Sequence, residues 1–289
     1  MPTLRQRISF LARADRNYLW WLLLRKLGKR HVVQQRAGGR LRVPLEAPGG
    51  VQLAYMSGRI DYAFLRKLLP ACPGSFVDVG ANVGLTLCWL KLVDAARPWI
   101  GFEPSPTACA CIREVIRLND FRNTRLIEAG LSDRAGRFTL HAASGTDSSA
   151  TMLEVARTAE QDHAREVEVL DGATLADGEL RERAGVVKID VEGMELEVVR
   201  GLRAVLNRDR PPLLLEILPV PDDGTERAHK LRARQGELLA ELRALDYRLA
   251  QSLGGVVRDV QSPSNEAGAP YDYLAIPSER HAEVHAALA

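Results

Sequence analysis

The chain has 289 residues, of which 46% are hydrophobic and 26% are charged. These proportions are those of ordinary globular proteins, and they exclude a fibrous repeat or a wholly disordered chain. The longest strongly apolar run, residues 18–24, is too short to cross a membrane as a helix, and the N-terminus carries no secretory signal. We therefore expect a cytoplasmic protein with ample chain for a large core.

The first 42 residues carry most of the positive charge. They contain eleven Lys or Arg and one acidic residue, a charge of +10, so the rest of the chain carries −8 to give the net +2. The pair Trp20-Trp21, followed by three leucines, lies within this segment. Two interpretations follow: peripheral contact with the anionic inner surface of a membrane, or a helix that packs its aromatic face on the core or on a partner chain.

In chain order, the first 40 residues or so predict one or two basic helices that break near Ala37, followed by short strand-like segments and a helix. After Pro73-Gly74, short apolar strands alternate with helices, which is typical of a mostly parallel wound sheet with helices on both faces. We therefore expect a basic N-terminal extension and lead-in over 1–72 and one Rossmann-like α/β domain over 73–289. The predicted strands are 76–79, 99–102, 125–128, 137–142, 167–170, 186–190, 213–217, 247–250 and 271–276, and the predicted helices are 85–92, 106–118, 196–205 and 226–245; residues 254–270 are predicted as loop.

The first candidate site is the sequence FVDVGANVG at residues 76–84. Gly80 and Gly84 let the backbone turn tightly where a strand gives way to a helix, the position at which wound sheets bind ligands, and Asp78 places a carboxylate there. A dinucleotide site needs a glycine where this chain has Asn82, because a pyrophosphate rests on that backbone. The pattern favours a ligand without phosphates, such as S-adenosylmethionine. A turn that serves only packing and a nicotinamide-dependent oxidoreductase remain alternatives.

Acidic residues follow two further predicted strands. Glu103 lies 23 residues after Gly80, where one carboxylate can accept hydrogen bonds from both hydroxyls of a ribose. Asp190 and Glu192 end a later strand at the same edge, and they face one way if the strand geometry persists. One of them could take a proton from a substrate hydroxyl, a contribution of ~10²–10⁴-fold, or could balance a sulfonium charge. The alternative is that Glu192, with Glu195, only caps the following helix.

With these motifs, the sequence resembles the FkbM-type S-adenosylmethionine-dependent methyltransferases. The resemblance rests on FVDVGANVG, GFEPSP, EAGLSD, KIDVEGMELEVVRGL and PPLLLEI, and it covers residues 76–217. It implies the sheet of class I methyltransferases and O-methylation of sugars, lipids or polyketide-like products. Relatives carry a histidine soon after the acid of the fifth strand, whereas Glu216 is followed here by Ile217-Leu218-Pro219. The cofactor contacts implied by the resemblance are Asp78, Gly80, Asn82, Glu103 and, near the adenine, Ser132.

The expected acceptor is a hydroxyl of a small molecule, a sugar or a lipid-linked glycan. Methyltransferases of base amines end the fourth strand with a polar residue, two prolines and an aromatic residue, so the sequence at 190–193 disfavours nucleic acid. Residues 143–165 have the composition of a mobile substrate loop, and the flanking His141 and His163 are candidate bases, although a surface or packing role is the commoner one. The sequence contains no metal-ligand spacing, so no metal is predicted. A non-catalytic surface-binding protein on the same fold remains an alternative.

Overall fold

The computed structural model describes residues 16–58, 60, 62–143, 147, 149–158, 161, 163–253, 256–266 and 271–289. The strands in this part of the chain are β1 (His31–Arg36), β2 (Gly39–Pro44), β3 (Ser75–Val79), β4 (Trp99–Phe102), β5 (Thr124–Ile127), β6 (Gly130–Ser132), β7 (Gly136–Ala142), β8 (His163–Asp171), β9 (Ala184–Ile189), β10 (Leu213–Glu216), β11 (Tyr247–Leu253), β12 (Val256–Asp259) and β13 (Asp272–Pro277). The helices are α1 (Arg16–Lys26), α2 (Gly50–Met56), α3 (Leu65–Ala71), α4 (Leu85–Val93), α5 (Pro106–Asn119), α6 (Glu195–Gly201), α7 (Arg203–Asp209), α8 (Glu226–Ala244) and α9 (His281–Leu288).

The main sheet has eight strands in the order β12-β11-β13-β10-β9-β3-β4-β5. Strands β3, β4, β5, β9 and β10 are parallel to one another. Strand β13 is antiparallel to both of its neighbours, β10 and β11, and β12 forms an antiparallel hairpin with β11. Strands β6, β8 and β7 form a separate small sheet, inserted in the chain between β5 and β9. The arrangement confirms the predicted α/β class.

Helices cover both faces of the main sheet. Helices α6, α7 and α8 pack on one face, and α3, α4, α5 and α9 pack on the other. In β3, Val77 and Val79 point to the first group of helices and Phe76 points to the second, as the two-residue period of a strand requires. Because both faces are covered, β3, β4 and β9 are buried along their whole length.

The N-terminal lead-in shares a core with this sheet. The β1–β2 hairpin and α2 bury Leu41, Val43 and Leu53 in one cluster with Cys88 and Trp89 of α4. The Asn119 side chain at the end of α5 bonds the backbone of Arg42 in both directions, at 2.8 Å each. The four cysteines are free thiols and all are buried. None of the helices in the described ranges has the length and hydropathy needed to cross a membrane.

Three predictions of secondary structure were wrong. Residues 31–36, predicted as basic helix, form β1, because α1 stops before Gly28 (φ +77°) and the stretch then alternates, with Gln34 buried and its neighbours exposed. The predicted helix 196–205 is two helices, with the break at Leu202. The predicted loop 254–270 contains β12. The other predicted strands and helices are present, although β8 begins at His163 rather than at Val167. Strand β6 and helices α2 and α9 were not predicted.

Two valines of the β1–β2 hairpin allow a test of its packing on α4. Val43 is fully buried, whereas Val33 is 44% exposed. We expect Val43→Ala to lower the free energy of unfolding by about 2 kcal/mol, because it removes buried methyl groups and leaves a cavity. Val33→Ala should change it by about 0.5 kcal/mol or less. Urea unfolding followed by circular dichroism measures both, and equal effects would contradict the packing of the hairpin on α4.

Candidate active site

A cavity of about 960 Å³ opens at the carboxyl ends of the central parallel strands. Each of these strands delivers polar groups to its wall, since parallel strands end at the same edge of a sheet. The inserted small sheet, the segment 149–158 and the lead-in form the rest of the wall. The residues predicted for a site that line it are Gly80, Asn82, Glu103, Asp190, Glu192 and His163.

The turn after β3 brings two strand ends into contact. Gly80 has φ +81°, and a Cβ added there would lie 1.8 Å from the carbonyl oxygen of Asp190, so only glycine allows this approach. Asn82 has φ +45°, and its backbone N–H donates to Glu103 Oε2 at 2.8 Å. The Asn82 Oδ1 atom is buried at the cavity without a hydrogen-bond partner among the described residues. The turn thus offers a close backbone approach and an unused acceptor.

Glu103 is held at the end of β4 by backbone donors. Its second carboxylate oxygen, Oε1, accepts from the N–H of Ser105 at 2.7 Å. Burial raises the pKa of Glu103 to about 7, although the two backbone N–H groups oppose the shift. Its carboxylate faces the cavity, where it can still accept hydrogen bonds from a ligand, because each oxygen has two lone pairs.

Three predicted cofactor contacts lie outside the cavity wall. Asp78 is completely buried beneath it. Gly84 has φ +86° and begins α4, where a Cβ would lie 3.2 Å from Ile112 Cγ1 of α5. Ser132 is buried and its hydroxyl donates to Asp133 at 3.2 Å. The structure thus places these three residues behind the cavity wall, in contact with the sheet, α5 and the residue that follows β6.

Lys188 connects the buried Asp78 to the cavity. Its Nζ atom lies 2.8 Å from Asp190 Oδ2 and 3.7 Å from Asp78 Oδ1. Burial alone would lower the pKa of Lys188, but the charges of Asp190 and Asp78 raise it above its usual value. Lys188 was not among the predicted site residues. Its position among apolar residues in a strand that is buried throughout was the available signal, because a buried ammonium requires charged partners.

Asp78 is further held by an indole. Its Oδ2 accepts from Trp99 Nε1 at 3.2 Å. The Trp99 ring lies over Gly101 of the same strand, where a Cβ would come within 2.1 Å of the ring. Burial raises the pKa of Asp78, and the Lys188 and Trp99 contacts oppose that shift.

Three carboxylates converge at the mouth of the cavity. One oxygen from each of Asp190, Glu192 and Glu216 lies within 4.8 Å of the others. Asp190 and Glu192 lie close together, but not through the continued strand geometry considered from the sequence. Strand β9 ends at Ile189, and a turn in which Glu192 has φ +52° brings the two acids together. Glu216, at the end of β10, was not among the predicted site residues, although its place at a strand end was visible in the sequence.

The cluster cannot be fully ionised, because like charges this close repel. Burial, with the charge of Asp190, raises the pKa of Glu192 to about 8. Burial, with the charges of Asp190 and Glu192, raises the pKa of Glu216 to about 9. Glu192 and Glu216 therefore hold protons at neutral pH. The three groups could also hold a divalent cation, for which the Lys188 ammonium would compete at Asp190.

Of the two candidate helix-capping residues, Glu195 bonds a backbone N–H at the start of α6, whereas Glu192 does not. Glu195 begins α6, and its carboxylate accepts from the Gly193 N–H at 2.9 Å. The side chain of Glu192 lines the cavity instead, and its carbonyl oxygen accepts from Thr151 Oγ1 at 2.7 Å. That hydrogen bond ties the segment 149–158 to the turn after β9.

The two candidate histidines differ in position. His163 lines the cavity, whereas His141 lies outside its wall, with Nε2 3.0 Å from a carboxylate oxygen of Glu154. Arg227 of α8 donates to the carbonyls of Val155 and Ala156 at 2.9 and 3.0 Å, and so holds this segment over the site. Residues 144–146, 148, 159, 160 and 162 of the predicted mobile loop lie outside the described residues.

The chain contains a domain of a known protein family. Residues 78–249 match the methyltransferase FkbM domain. The chain belongs to the FkbM methyltransferase family. This confirms the predicted family, and with it S-adenosylmethionine as the cofactor.

Similar proteins are partial matches. Methyltransferase sdnD of Sordaria araneosa is 28% identical over 178 residues, which are 52% of this chain and 68% of that protein. Methyltransferase 1 of Beauveria bassiana is 26% identical over 145 residues, 44% of this chain and 57% of that protein. A solved FkbM methyltransferase from Methylobacillus flagellatus has a TM-score of 0.44 and 16% identity, covering 77% of this chain and 46% of that one. The chain thus spans less than two thirds of the last two proteins.

The cavity wall fits this family's cofactor. Gly80 lines the cavity at the turn, Asn82 Oδ1 is an unused acceptor, and Glu103 presents a carboxylate. S-adenosylmethionine combines an ammonium group, a carboxylate and a ribose diol, which such groups can bind.

The raised pKa of Glu216 predicts a pH-dependent stability. Between the ordinary value near ~4.3 and about 9, the folded protein keeps a proton that the unfolded chain releases, so stability falls as pH rises. We expect the Tm of the wild type to fall more between pH 5 and pH 8 than that of Glu216→Gln, and the variant to gain stability only at the higher pH. Calorimetric unfolding at the two pH values measures this, with the exposed Glu182→Gln as control. If Tm changed with pH in Glu216→Gln as much as it does in Glu182→Gln, the predicted effect of Glu216 would be refuted.

Proposed function

We propose that the protein transfers a methyl group from S-adenosylmethionine to a hydroxyl oxygen of a small molecule, a sugar or a lipid-linked glycan. The observation that carries the proposal is the convergence of Asp190, Glu192 and Glu216 beside the turn formed by Gly80 and Asn82. A proton-accepting group and the cofactor turn then border one cavity. A hydroxyl acceptor needs both, since it loses a proton as it gains the methyl group.

Gly80, Asn82 and Glu103 are the proposed cofactor contacts. The backbone of the Gly80 turn and the unpartnered Asn82 oxygen suit the amino-acid end of the cofactor. The Glu103 carboxylate suits the two ribose hydroxyls, because one carboxylate can accept from both. When bound, the cofactor supplies the methyl group from its sulfonium centre. Asp78 and Gly84 act behind the wall by holding Lys188 and the start of α4.

Asp190 is the proposed general base. Lys188 fixes one of its oxygens at 2.8 Å and supplies a positive charge beside it. Asp190 is the carboxylate of the cluster that Lys188 contacts, so we assign proton acceptance to it. Proton acceptance by a positioned carboxylate contributes roughly 10²–10⁴-fold to rate.

The residues that line the cavity favour a methyl acceptor that carries several hydroxyl groups and an apolar part. The carboxylates accept hydrogen bonds from hydroxyl groups, while Met56, Ile60 and Leu218 provide apolar contacts. Ile60 and Leu218 are 38% and 37% exposed, so they form part of an apolar rim.

A specific observation favours contact with an anionic membrane as well. Trp20, Leu23 and Leu27 are 53%, 45% and 69% exposed and follow the spacing of one helical face. The opposite face of α1 packs on the core and on α2, whose end leads to Met56 at the cavity. The exposed basic residues at the end of α1 and just after it are Arg25, Lys26, Lys29 and Arg30. An apolar stripe beside basic side chains matches the surface of anionic lipids.

Substitution at Asp190 tests the methyl-transfer proposal. We expect Asp190→Asn to bind S-adenosylhomocysteine within a few-fold of wild type and to lower turnover by roughly 10²–10⁴-fold. Calorimetry gives the affinity, with NADH as a ligand expected not to bind. Turnover is measured as transfer of an isotopically labelled methyl group from S-adenosylmethionine to hydroxyl acceptors in sugar and lipid extracts.

The control for this experiment is Asp177→Asn, in the exposed turn before β9 at the opposite edge of the sheet. It should leave affinity and turnover unchanged. Wild-type turnover in Asp190→Asn would rule out its role as base. Label recovered on nitrogen or carbon instead of oxygen would refute the proposed acceptor class.

Vesicle binding tests the membrane proposal. We expect the protein to sediment with vesicles that contain anionic phosphatidylglycerol and not with phosphatidylcholine alone, and to be released as salt rises. The variant Leu23→Ala/Leu27→Ala should bind about tenfold more weakly, because it removes apolar area from the exposed stripe. Equal binding to both kinds of vesicle, or to neither, would contradict contact through α1.

A further inference from the structure

Asp259, His281 and His285 form a second polar cluster, away from the cavity. Asp259 ends β12, the outermost strand of the main sheet, and the two histidines lie on α9. Asp259 Oδ1 lies 2.8 Å from His281 Nε2 and 3.2 Å from His285 Nε2. One potential metal-ligand atom from each of the three side chains lies within 4.8 Å of the other two.

The helix presents the two imidazoles as a pair. His281 and His285 are four residues apart, so they lie on one face, and their ring centroids are 4.2 Å apart. The opposite face of α9 buries Val284 and Leu288 in the core shared with α3. Arg280, just before α9, donates to the Ala71 carbonyl of α3 at 2.7 Å. Because the helix is anchored on its other face, the two histidines are held in position before any ligand arrives.

The spacing suits a metal ion. Zinc lies about 2.0–2.2 Å from nitrogen and oxygen ligands, so ligands on one ion are about 3–3.5 Å apart in tetrahedral or octahedral geometry. The two distances from Asp259 are close to that range. Two imidazoles and one carboxylate form a donor set for zinc, nickel, cobalt or iron(II), whereas calcium and magnesium prefer all-oxygen sites.

We propose that Asp259, His281 and His285 bind one divalent transition-metal ion, with Zn²⁺ as the representative, and that this ion fastens α9 to the edge strand β12. The side chains of His281 and His285 are 20% and 26% exposed and that of Asp259 is 46% exposed, so the remaining coordination positions are open to water. The ion would close the outer edge of the sheet, where an unpaired strand otherwise presents its backbone groups. The site shares no residue with the cavity wall and does not depend on the proposed methyl transfer.

Zinc titration of the full chain tests the proposal. Protein prepared without a polyhistidine tag and stripped with EDTA is titrated with ZnCl₂ in a calorimeter. We expect one ion per chain and, at a hundredfold excess over the Kd, a rise in Tm of about 5 °C. Cobalt(II) in place of zinc should give visible absorption bands of a nitrogen- and oxygen-ligated site.

Matched variants identify the ligands. His285→Asn and Asp259→Asn should each weaken zinc binding at least tenfold and abolish the rise in Tm, while far-ultraviolet circular dichroism shows that they remain folded. His229→Asn, on an exposed position of α8, and Asp190→Asn, in the carboxylate cluster, should bind zinc as the wild type does. An absence of zinc binding by the folded wild type would overturn the proposal. Binding that survives in His285→Asn and is lost in Asp190→Asn would also overturn it.

Discussion

The buried ammonium of Lys188 lies between the carboxylates of Asp78 and Asp190 at the centre of the main sheet. Strands β3 and β9 pair so that Asp78 lies directly opposite Lys188, and the ammonium also reaches Asp190 at the cavity. An ammonium buried without such partners would cost several kcal/mol. The pairing therefore favours this register strongly. A slip of one residue would turn Asp78 to the opposite face of the sheet and leave Lys188 without one partner.

The same register sets the geometry of the cavity. The alignment of β3 with β9 brings the turn at Gly80 to the carbonyl of Asp190. The alignment of β3 with β4 brings the backbone of Asn82 to the carboxylate of Glu103. The acids at the mouth have different surroundings. Lys188 lies beside Asp190, whereas burial and the charges of neighbouring acids raise the pKa of Glu192 to about 8 and that of Glu216 to about 9. The contact with one lysine thus distinguishes Asp190 from the other two carboxylates.

The sequence predicted local features well and distant contacts poorly. The central strands and the motif that ends each of them follow from apolar runs and glycine-containing turns. The strand at 31–36 was missed because basic charge suggested a helix, whereas the alternation of Gln34 with exposed neighbours was the better guide. Asp78 was predicted as a cofactor contact from its motif, and its link to the cavity through Lys188 depends on the pairing of β3 with β9. The roles of Lys188 and Glu216 depend on which strands are neighbours, and sheet order is not visible in single segments.

The order of strands also constrains how the chain can assemble. β13 lies between β10 and β11, so the β11–β12 hairpin has no connection to the rest of the main sheet until residues 272–277 have been synthesised. A nascent chain that lacks β13 exposes the edge of β10, whose residues are mostly apolar and buried in the final fold. Completion of the sheet must therefore follow translation of residues 272–277. During that interval, ribosome-bound intermediates are the species most prone to pair wrongly with other strands.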